Sequence, residues 1–292
     1  MPRPFGRSLI SLDELSVGDA FGQRFFGNPG VMWARISQRE VPHKPWIWTD
    51  DTAMARVIVA CLRDEGELEP DTLIRRFANE YHLNPGRGYG SGAAQILNQI
   101  SHRTPWREAA GSVFGGQGSK GNGAAMRAAP VGAYFADDLA KVVEQATISA
   151  EVTHLYPEGI AGAVAVALAA AWAARGEGDL WDTVLTYLGE GAVRDNVEKA
   201  RALPTDLEPS GAAGELGSGN QVLAEDTVGF CIWCVARSGN NFEEAMWTTV
   251  AGMGDRDTTC AIVGGIVAVM EGAELPEDWL LAREPLNLSK AG

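Results

Sequence analysis

Cysteine and histidine are scarce in this sequence, with only four of each among 292 residues. Cys231 and Cys234 have the spacing of a CxxC motif, but no second cysteine pair and no histidine lies at zinc-ligand spacing from them. All four cysteines stand in apolar surroundings, which is typical of small core residues in a reducing compartment. The sequence therefore argues against a zinc ribbon or a disulfide framework, and we expect the CxxC pair to lie in a buried helix.

Basic charge is also in deficit, with 24 Lys and Arg against 38 Asp and Glu and a net charge of −14. Such a field repels phosphate backbones, so nucleic-acid binding is not expected. Residues 1–7 include basic side chains but no apolar segment follows them, which predicts no secretory leader and a cytoplasmic location. The longest apolar run, residues 160–174, is short for a bilayer span and predicts a buried helix rather than membrane contact.

Strand-like alternation is missing as well, because no stretch alternates apolar and polar residues for long enough to predict a substantial sheet. Helical periodicity is common instead, as at Met54, Val57, Ile58, Cys61 and Leu62. The predicted class is all-α: a compact multi-helix bundle that forms a single domain over residues 1–292. In such a bundle, motifs from distant parts of the sequence can meet at helix ends.

Several local features lead to further structural expectations. Ser11 and Glu14 have capping-box spacing, which predicts that the first helix begins there. Residues 31–36 are expected to be extended, and the Gly, Ser, Pro and acidic residues of 202–226 predict a mobile surface loop or lid. Trp279 is isolated in the C-terminal tail, which is expected to wrap the surface.

Two short stretches combine carboxylates and hydroxyls directly before apolar helical segments: residues 49–52 (Thr-Asp-Asp-Thr) and residues 255–258 (Asp-Arg-Asp-Thr). Helix capping is one interpretation, because Asp and Thr are favoured near helix N-termini. Metal binding is the other, because carboxylates and hydroxyls are hard-oxygen ligands that favour Mg²⁺, Mn²⁺ or Ca²⁺ over Zn²⁺. Since two such stretches could share ions, the sequence favours a two-metal site whose anionic ligands outweigh the partial positive charge of the helix ends.

The most glycine-dense stretch, residues 111–123, leads directly into the helix-prone residues 124–127. Glycine lets backbone amides approach a ligand closely, and amides ahead of a helix suit an anion. A flexible linker is the alternative, which the immediate transition to a helix-forming run makes less favourable. His154, at the end of a predicted helix, is a further candidate for a ligand contact, although a lone histidine there is often only a satisfied polar residue.

A series of motifs, in this order along nearly the whole chain, resembles the ADP-ribosylglycohydrolase family. The motifs are GDAFG at 18–22, WTDDTAM at 48–54, RGYGSG at 87–92, GSKGNGAAMR at 118–127, THLYPE at 153–158 and GDRDT at 254–258. The resemblance implies an all-α hydrolase that cleaves the bond between ADP-ribose and a modified protein side chain or another acceptor. It also implies two Mg²⁺ ions, or Mn²⁺ in their place, bound between the two carboxylate stretches.

The resemblance assigns roles to individual residues of this chain. The implied metal ligands are Thr49, Asp50, Asp51, Asp255, Asp257 and Thr258, and the four aspartates are also the implied catalytic groups. The implied contacts to ADP-ribose are Phe114 near the adenine or its ribose, then Gly118, Ser119, Lys120, Gly121 and Asn122 at the diphosphate, and His154 at a phosphate or ribose. For Lys120, simple solvation is the alternative.

Two positions depart from the common family pattern. Many members carry a glutamate near the metals four residues after the GDAFG motif, whereas Phe26 stands there in this chain. Arg256 stands where threonine is common between the paired aspartates, and we expect it to pair with an aspartate, to contact the substrate or to be solvated. The missing glutamate leaves open an ADP-ribose-binding protein without activity. A hydrolase of small conjugates such as O-acyl-ADP-ribose is a further alternative.

Overall fold

The computed structural model describes residues 3–288, and this part of the chain is built from helices. It contains two isolated β-bridges, Trp46 with Arg283 and Gly121 with Leu223, but no sheet, which confirms the all-α prediction. The α-helices are α1 Pro4–Gly22, α2 Pro29–Ser37, α3 Asp50–Glu65, α4 Pro70–Leu83, α5 Ser91–Ser101, α6 Trp106–Ser112, α7 Ala129–Tyr134, α8 Leu139–Glu151, α9 Pro157–Arg175, α10 Leu180–Leu185, α11 Ala192–Ala202, α12 Pro209–Leu216, α13 Val228–Ser238, α14 Phe242–Val250, α15 Arg256–Val267 and α16 Glu277–Ala282. Short 3₁₀ helices occupy Gln23–Phe25, Phe114–Gly116, Asn122–Arg127 and Ala224–Asp226.

Helix α9 runs through the core. By length and composition alone it could cross a membrane, but most of its apolar stretch is buried inside the protein, and residues 165–171 have no exposed surface. Gly132 of α7 lets that helix approach α9 closely, because a Cβ added at Gly132 would lie 1.9 Å from the carbonyl oxygen of Ala167. The buried helix predicted over residues 160–174 is therefore confirmed.

Helices α1 and α15 pack backbone against backbone. A Cβ added at Gly18 would lie 2.2 Å from the carbonyl oxygen of Cys260, and one added at Gly22 would lie 2.1 Å from that of Arg256. Real Cβ atoms cannot make such contacts, so glycine is required at both positions. The close approach places the C-terminal end of α1 beside the first turn of α15, where the second carboxylate stretch lies.

An aromatic cluster closes the same end of the bundle. Phe21 stacks on Trp279 with ring centroids 4.7 Å apart and meets Trp46 and Trp247 at 5.6 and 5.0 Å. The backbone N–H of Trp46 donates to the carbonyl of Ala282 at 2.8 Å. The expectation that Trp279 belongs to a surface tail is wrong, because its ring is buried among these aromatic side chains and stabilises the end of α1.

Three local expectations are corrected. Helix α1 begins at Pro4, so Ser11 lies in its interior and donates its hydroxyl to the carbonyl of Gly265 at 2.7 Å instead of capping a helix. Residues 31–36 are helical rather than extended, because the Asn28 side chain caps α2. Residues 202–226, expected to form a mobile surface loop or lid, include α12 and the 3₁₀ turn at Ala224–Asp226, so the segment is partly helical. The CxxC pair lies buried in α13, as predicted.

The α1–α15 contact predicts opposite effects of two identical substitutions. Gly18→Ala should lower the free energy of unfolding by about 1–3 kcal/mol, because the added methyl group forces the two helices apart. Gly214→Ala is the matched control: it also lies in a helix, but nothing lies within 4 Å of its added Cβ, so it should gain about 0.5–1 kcal/mol in helix propensity. Equilibrium denaturation measures both. Equal effects at the two positions would contradict the close packing.

Candidate active site

The first carboxylate stretch is held by Asp19, a fully buried residue of α1. The backbone N–H groups of Thr49 and Thr52 donate to Asp19 Oδ2 at 2.9 and 3.1 Å, and the Thr52 hydroxyl donates to the same oxygen at 2.5 Å. Within the described chain, the Thr49 side chain makes no capping bond of its own at the start of α3. Asp19 thus caps α3 from another helix, and this leaves Asp50 and Asp51 free for other contacts.

The second stretch begins α15. Asp255 occupies the N-cap position, but its side chain makes no capping hydrogen bond among residues 3–288. Its backbone carbonyl accepts from the N–H and hydroxyl of Thr259 at 2.9 and 2.8 Å, while its Oδ2 accepts from the amide of Asn122 at 2.8 Å. The capping interpretation is therefore unsupported at both turns, because the side chains of the N-cap residues, Thr49 and Asp255, do not hydrogen-bond to the first turn of the helices that they precede.

The carboxyl groups of the two turns lie close enough to repel one another. Burial, reinforced by the charge of Asp19, raises the pKa of Asp50 to about 7, and Arg127 opposes the shift. Burial and neighbouring carboxylates also raise the pKa of Asp51 and Asp257 well above the ordinary value. The side chains of residues 3–288 therefore do not neutralise the negative charge of this cluster.

The chemistry of this cluster fits a cation. Asp51 Oδ1 is buried and has no hydrogen-bond partner in the part of the chain described. The Thr49 hydroxyl lies 2.9 Å from Asp19 Oδ1 and 2.8 Å from Asp51 Oδ2, but its single proton can serve only one of them. No three His, Cys, Asp or Glu side chains in residues 3–288 already form a group that could hold an ion. An ion would therefore have to draw the carboxylates of the two turns together.

The glycine-rich stretch forms one wall of the same site. The N–H groups of Gly118, Gly121 and Asn122 donate to Val113, Ser119 and Val222, respectively, and so hold the loop in place. In contrast, the N–H groups of Ser119 and Lys120 donate to no acceptor within residues 3–288. The Lys120 ammonium pairs with Glu225 at 2.8 Å, so it is neither simply solvated nor unpaired. The flexible-linker interpretation is wrong, because these bonds fix the loop.

His154 and Arg127 contact the glycine-rich loop from the protein interior. A Cβ added at Gly123 would lie 3.4 Å from His154 Nε2, so the ring packs directly under the glycines. Burial, followed by the charge of Arg127, lowers the pKa of His154 to about 3, so the imidazole is neutral at neutral pH. The buried Arg127 donates to the carbonyl of Gly123 at 3.0 Å and to the Thr153 hydroxyl at 2.8 Å, which ties the loop to the end of α8.

The two aspartate turns and the glycine-rich loop open into one cavity of about 740 Å³. The predicted site residues that line it are Asp50, Asp51, Phe114, Gly118, Ser119, Lys120, Gly121, Asn122, His154, Asp255, Asp257 and Thr258. Phe114 is 60% exposed, so its side chain is accessible to a ligand. Thr49 instead lines a smaller cavity of about 380 Å³, which meets the larger one at Gly88. Arg256 is not among the lining residues of either cavity.

The family model described as ADP-ribosylglycohydrolase matches residues 15–288 of this sequence. The chain belongs to the ADP-ribosylglycohydrolase family. Its membership confirms the expected enzyme class, a hydrolase of glycosidic bonds. The two aspartate turns, the glycine-rich loop and His154 all lie within the matched residues.

Individual relatives of this ADP-ribosylglycohydrolase agree with the family match. The human ADP-ribosylhydrolase ARH3 is 30% identical over 268 residues, which cover 80% of this chain and 73% of the relative. The zebrafish (Danio rerio) ADP-ribosylhydrolase ARH3 is 29% identical over 314 aligned positions, which cover 93% of this chain and 84% of the relative. A solved structure named ADP-ribosylglycohydrolase-related protein complex superposes with a TM-score of 0.68 at 24% identity, covering 97% of this chain and 94% of that one. This structural likeness shows the shared fold.

Two residues that hold the walls of the cavity in place were not singled out from the sequence. Asp19 is one, although a carboxylate inside the apolar GDAFG motif was a visible sign of a buried polar contact. Arg127 is the other, and it stands out as the only charged residue in the helix-prone residues 124–127. Both place an ionisable side chain in the core. Burying such a group costs free energy unless it has hydrogen-bond partners, so its presence indicates a specific hydrogen-bond network.

The cross-helix cap makes Asp19 essential to the shape of the first turn. Asp19→Asn should lower the free energy of unfolding by about 2 kcal/mol, because the amide has one acceptor oxygen instead of two and lacks the charge that strengthens the hydrogen bonds from Thr49 and Thr52. Asp206→Asn, a change at an exposed turn, should alter it by less than about 0.5 kcal/mol. Chemical denaturation monitored by far-UV circular dichroism measures both. Full stability of Asp19→Asn would contradict the proposed network.

Proposed function

We propose that this chain is a Mg²⁺-dependent hydrolase that releases ADP-ribose from a protein side chain or another acceptor. The observation that carries the proposal is the single cavity of about 740 Å³ into which both aspartate turns and the glycine-rich loop open. The loop suits a diphosphate and the aspartates suit cations that could hold the neighbouring distal ribose, so adjoining walls of one cavity suit adjoining parts of ADP-ribose.

The residues that would hold two Mg²⁺ ions, or Mn²⁺ in their place, come from both turns. They are Thr49, Asp50, Asp51, Asp255, Asp257 and Thr258. The proposal is supported by the raised pKa values of Asp50, Asp51 and Asp257 and by the unpartnered Oδ1 of Asp51, because each marks unmet negative charge. When bound, the cations would supply Lewis-acid polarisation of ribose hydroxyls and of a water molecule.

The other residues of the cavity would position the nucleotide. The free N–H groups of Ser119 and Lys120 would donate to diphosphate oxygens, and the neutral imidazole of His154 would supply a further uncharged contact. The exposed face of Phe114 would stack on the adenine, since a planar aromatic ring suits a base. Binding of the nucleotide portion would fix the distal ribose against the aspartates, which is the geometric requirement for attack at its anomeric carbon.

The reaction breaks the bond from the anomeric carbon to the acceptor and forms a bond from that carbon to a water oxygen. The aspartates would accept the proton that the water loses, and their negative charge would favour an oxocarbenium-like transition state. Since Phe26 replaces the glutamate common in the family, this role falls to Asp50, Asp51, Asp255 or Asp257. The departing acceptor takes up a proton, which completes the hydrolysis.

A second candidate function is ADP-ribose binding without turnover, and Phe26 is the observation that favours it. Its side chain has no ionisable group and is 43% exposed beside the second aspartate turn. The third candidate, hydrolysis of small conjugates such as O-acyl-ADP-ribose, uses the same cavity and differs only in the acceptor released.

Substitution of one aspartate from each turn tests the catalytic proposal. Asp50→Asn and Asp255→Asn should each slow Mg²⁺-dependent release of ADP-ribose by at least about 100-fold, because each removes an anionic ligand and proton acceptor. The exposed Asp206→Asn should retain full activity. Release is measured across acceptors linked through serine, arginine and acyl groups, with ADP-ribose binding followed by calorimetry. If the wild type binds ADP-ribose but releases it from none of these acceptors, the second candidate, ADP-ribose binding without turnover, would be favoured instead.

A further inference from the structure

The first aspartate turn has a second support besides Asp19, in the loop between α4 and α5. The backbone N–H of Asp50 donates to the carbonyl oxygen of Arg87 at 2.8 Å, and Arg87 Nη1 donates to the carbonyl oxygen of Trp48 at 2.9 Å. One residue therefore holds the peptide groups on both sides of Thr49. Since Asp19 accepts the N–H of Thr49 at 2.9 Å, the peptide group between Trp48 and Thr49 is bonded at both ends.

The same loop passes directly against the side chain of a predicted metal ligand. Gly88 has a φ of +97°, which favours glycine, and a Cβ added there would lie 3.4 Å from Asp50 Oδ1. Arg87 and Thr49 both line the smaller cavity, and Gly88 lines both cavities. The backbone at Arg87 and Gly88 therefore lies next to the carboxylate of Asp50 as well as next to its main chain.

Glu284 fixes the side chain of Arg87. Its carboxylate accepts from Arg87 Nη1 and Nη2 at 2.6 and 2.9 Å, a bidentate pair whose two side chains are only 28% and 16% exposed. The Arg87 guanidinium also lies on the ring of Trp48, with its central carbon 3.4 Å from the ring centroid. A planar group with several donors can stack and pair at once, which a lysine ammonium cannot do.

Glu284 is itself anchored beside the same turn. Its backbone N–H donates to the carbonyl oxygen of Trp46 at 2.8 Å, just before the turn begins. Farther along the chain, the carbonyl oxygen of Asn287 accepts from Arg56 Nη2 of α3 at 2.7 Å. The C-terminal segment 284–287 thus contacts both the residues that precede the turn and the helix that follows it.

We propose that Arg87, fixed by Glu284, is a positioning residue that sets the affinity of the first aspartate turn for its cation, an inference that rests on the proposed Mg²⁺-dependent function. The carboxylates of Asp50 and Asp51 repel those of the second turn, so a mobile turn would move away in the metal-free protein. A turn held at both flanking peptide groups keeps its carboxylates in place. Folding then supplies the free energy needed to bring the negative charges together, and cation binding is correspondingly tighter.

Calorimetry with Mn²⁺ alone, added to the metal-free protein, tests the proposal. Arg87→Met removes the donors to Trp48 and Glu284 and should raise the Kd for Mn²⁺ at least about tenfold. Glu284→Gln keeps the shape of the side chain but loses its charge, so it should raise the Kd by a smaller factor, about threefold. Arg87→Lys keeps the charge without the bidentate geometry, so its Kd should lie between those of the wild type and Arg87→Met.

A double variant separates positioning from general stabilisation. If Glu284 acts through Arg87, adding Glu284→Gln to Arg87→Met should raise the Kd no further. Glu198→Gln is the matched control, because Glu198 pairs with Arg194 at 2.8 Å and neither residue lines either cavity, so the Kd should change by less than about twofold. Urea denaturation of each metal-free variant, followed by circular dichroism, shows whether it folds and how stable it is.

A wild-type Kd for Mn²⁺ in a folded Arg87→Met, even with lowered stability, would overturn the proposal. If Arg87→Met does not fold, an unchanged Kd in both Arg87→Lys and Glu284→Gln would overturn it in the same way. Additive effects in the double variant would contradict the action of Glu284 through Arg87. If the wild type itself binds no Mn²⁺, the Mg²⁺-dependent function is wrong and the inference fails with it.

Discussion

The buried carboxylate of Asp19 is the interaction on which the site depends. It accepts the donors of Thr49 and Thr52 and so caps α3 from a neighbouring helix. Since α1 also packs on α15 through Gly18 and Gly22, one helix fixes the positions of both aspartate turns. The distance between two stretches more than two hundred residues apart in sequence is thereby set by a single rigid element.

This arrangement concentrates negative charge that the protein does not neutralise. Helix N-termini normally tolerate carboxylates well, but here burial and mutual repulsion outweigh that benefit, as the raised pKa values of Asp50, Asp51 and Asp257 indicate. The positively charged groups nearby have other functions: Arg127 holds the glycine-rich loop and Arg256 stacks on Phe26. We propose that binding of a cation recovers the stability lost here, since functional sites commonly reduce the stability of the protein alone.

The fold class and most of the site could be predicted from local patterns. Helical periodicity indicated the all-α class, and paired carboxylates and clustered glycines marked the cavity walls, because these signals lie within a few residues of each other. What was missed at Asp19 and Trp279 came from long-range contacts, whereas the error at residues 31–36 came from a local helix cap. Asp19 acts on residues thirty positions away, Trp279 is buried by aromatic rings from distant segments, and Asn28 overrode the weak extended preference of residues 31–36 by capping a helix. The Arg256–Phe26 stack likewise joins residues that no sequence window contains.

A crystal of the wild-type protein grown with Mn²⁺ and ADP-ribose tests directly whether the two aspartate turns bind metal ions. Anomalous diffraction at the manganese edge locates the ions independently of any assumption about the ligands. We expect two anomalous peaks between residues 49–51 and 255–258, with the diphosphate beside Ser119 and Lys120. Ions bound elsewhere, or ADP-ribose bound in the cavity with no anomalous peak between the two aspartate turns, would contradict this expectation.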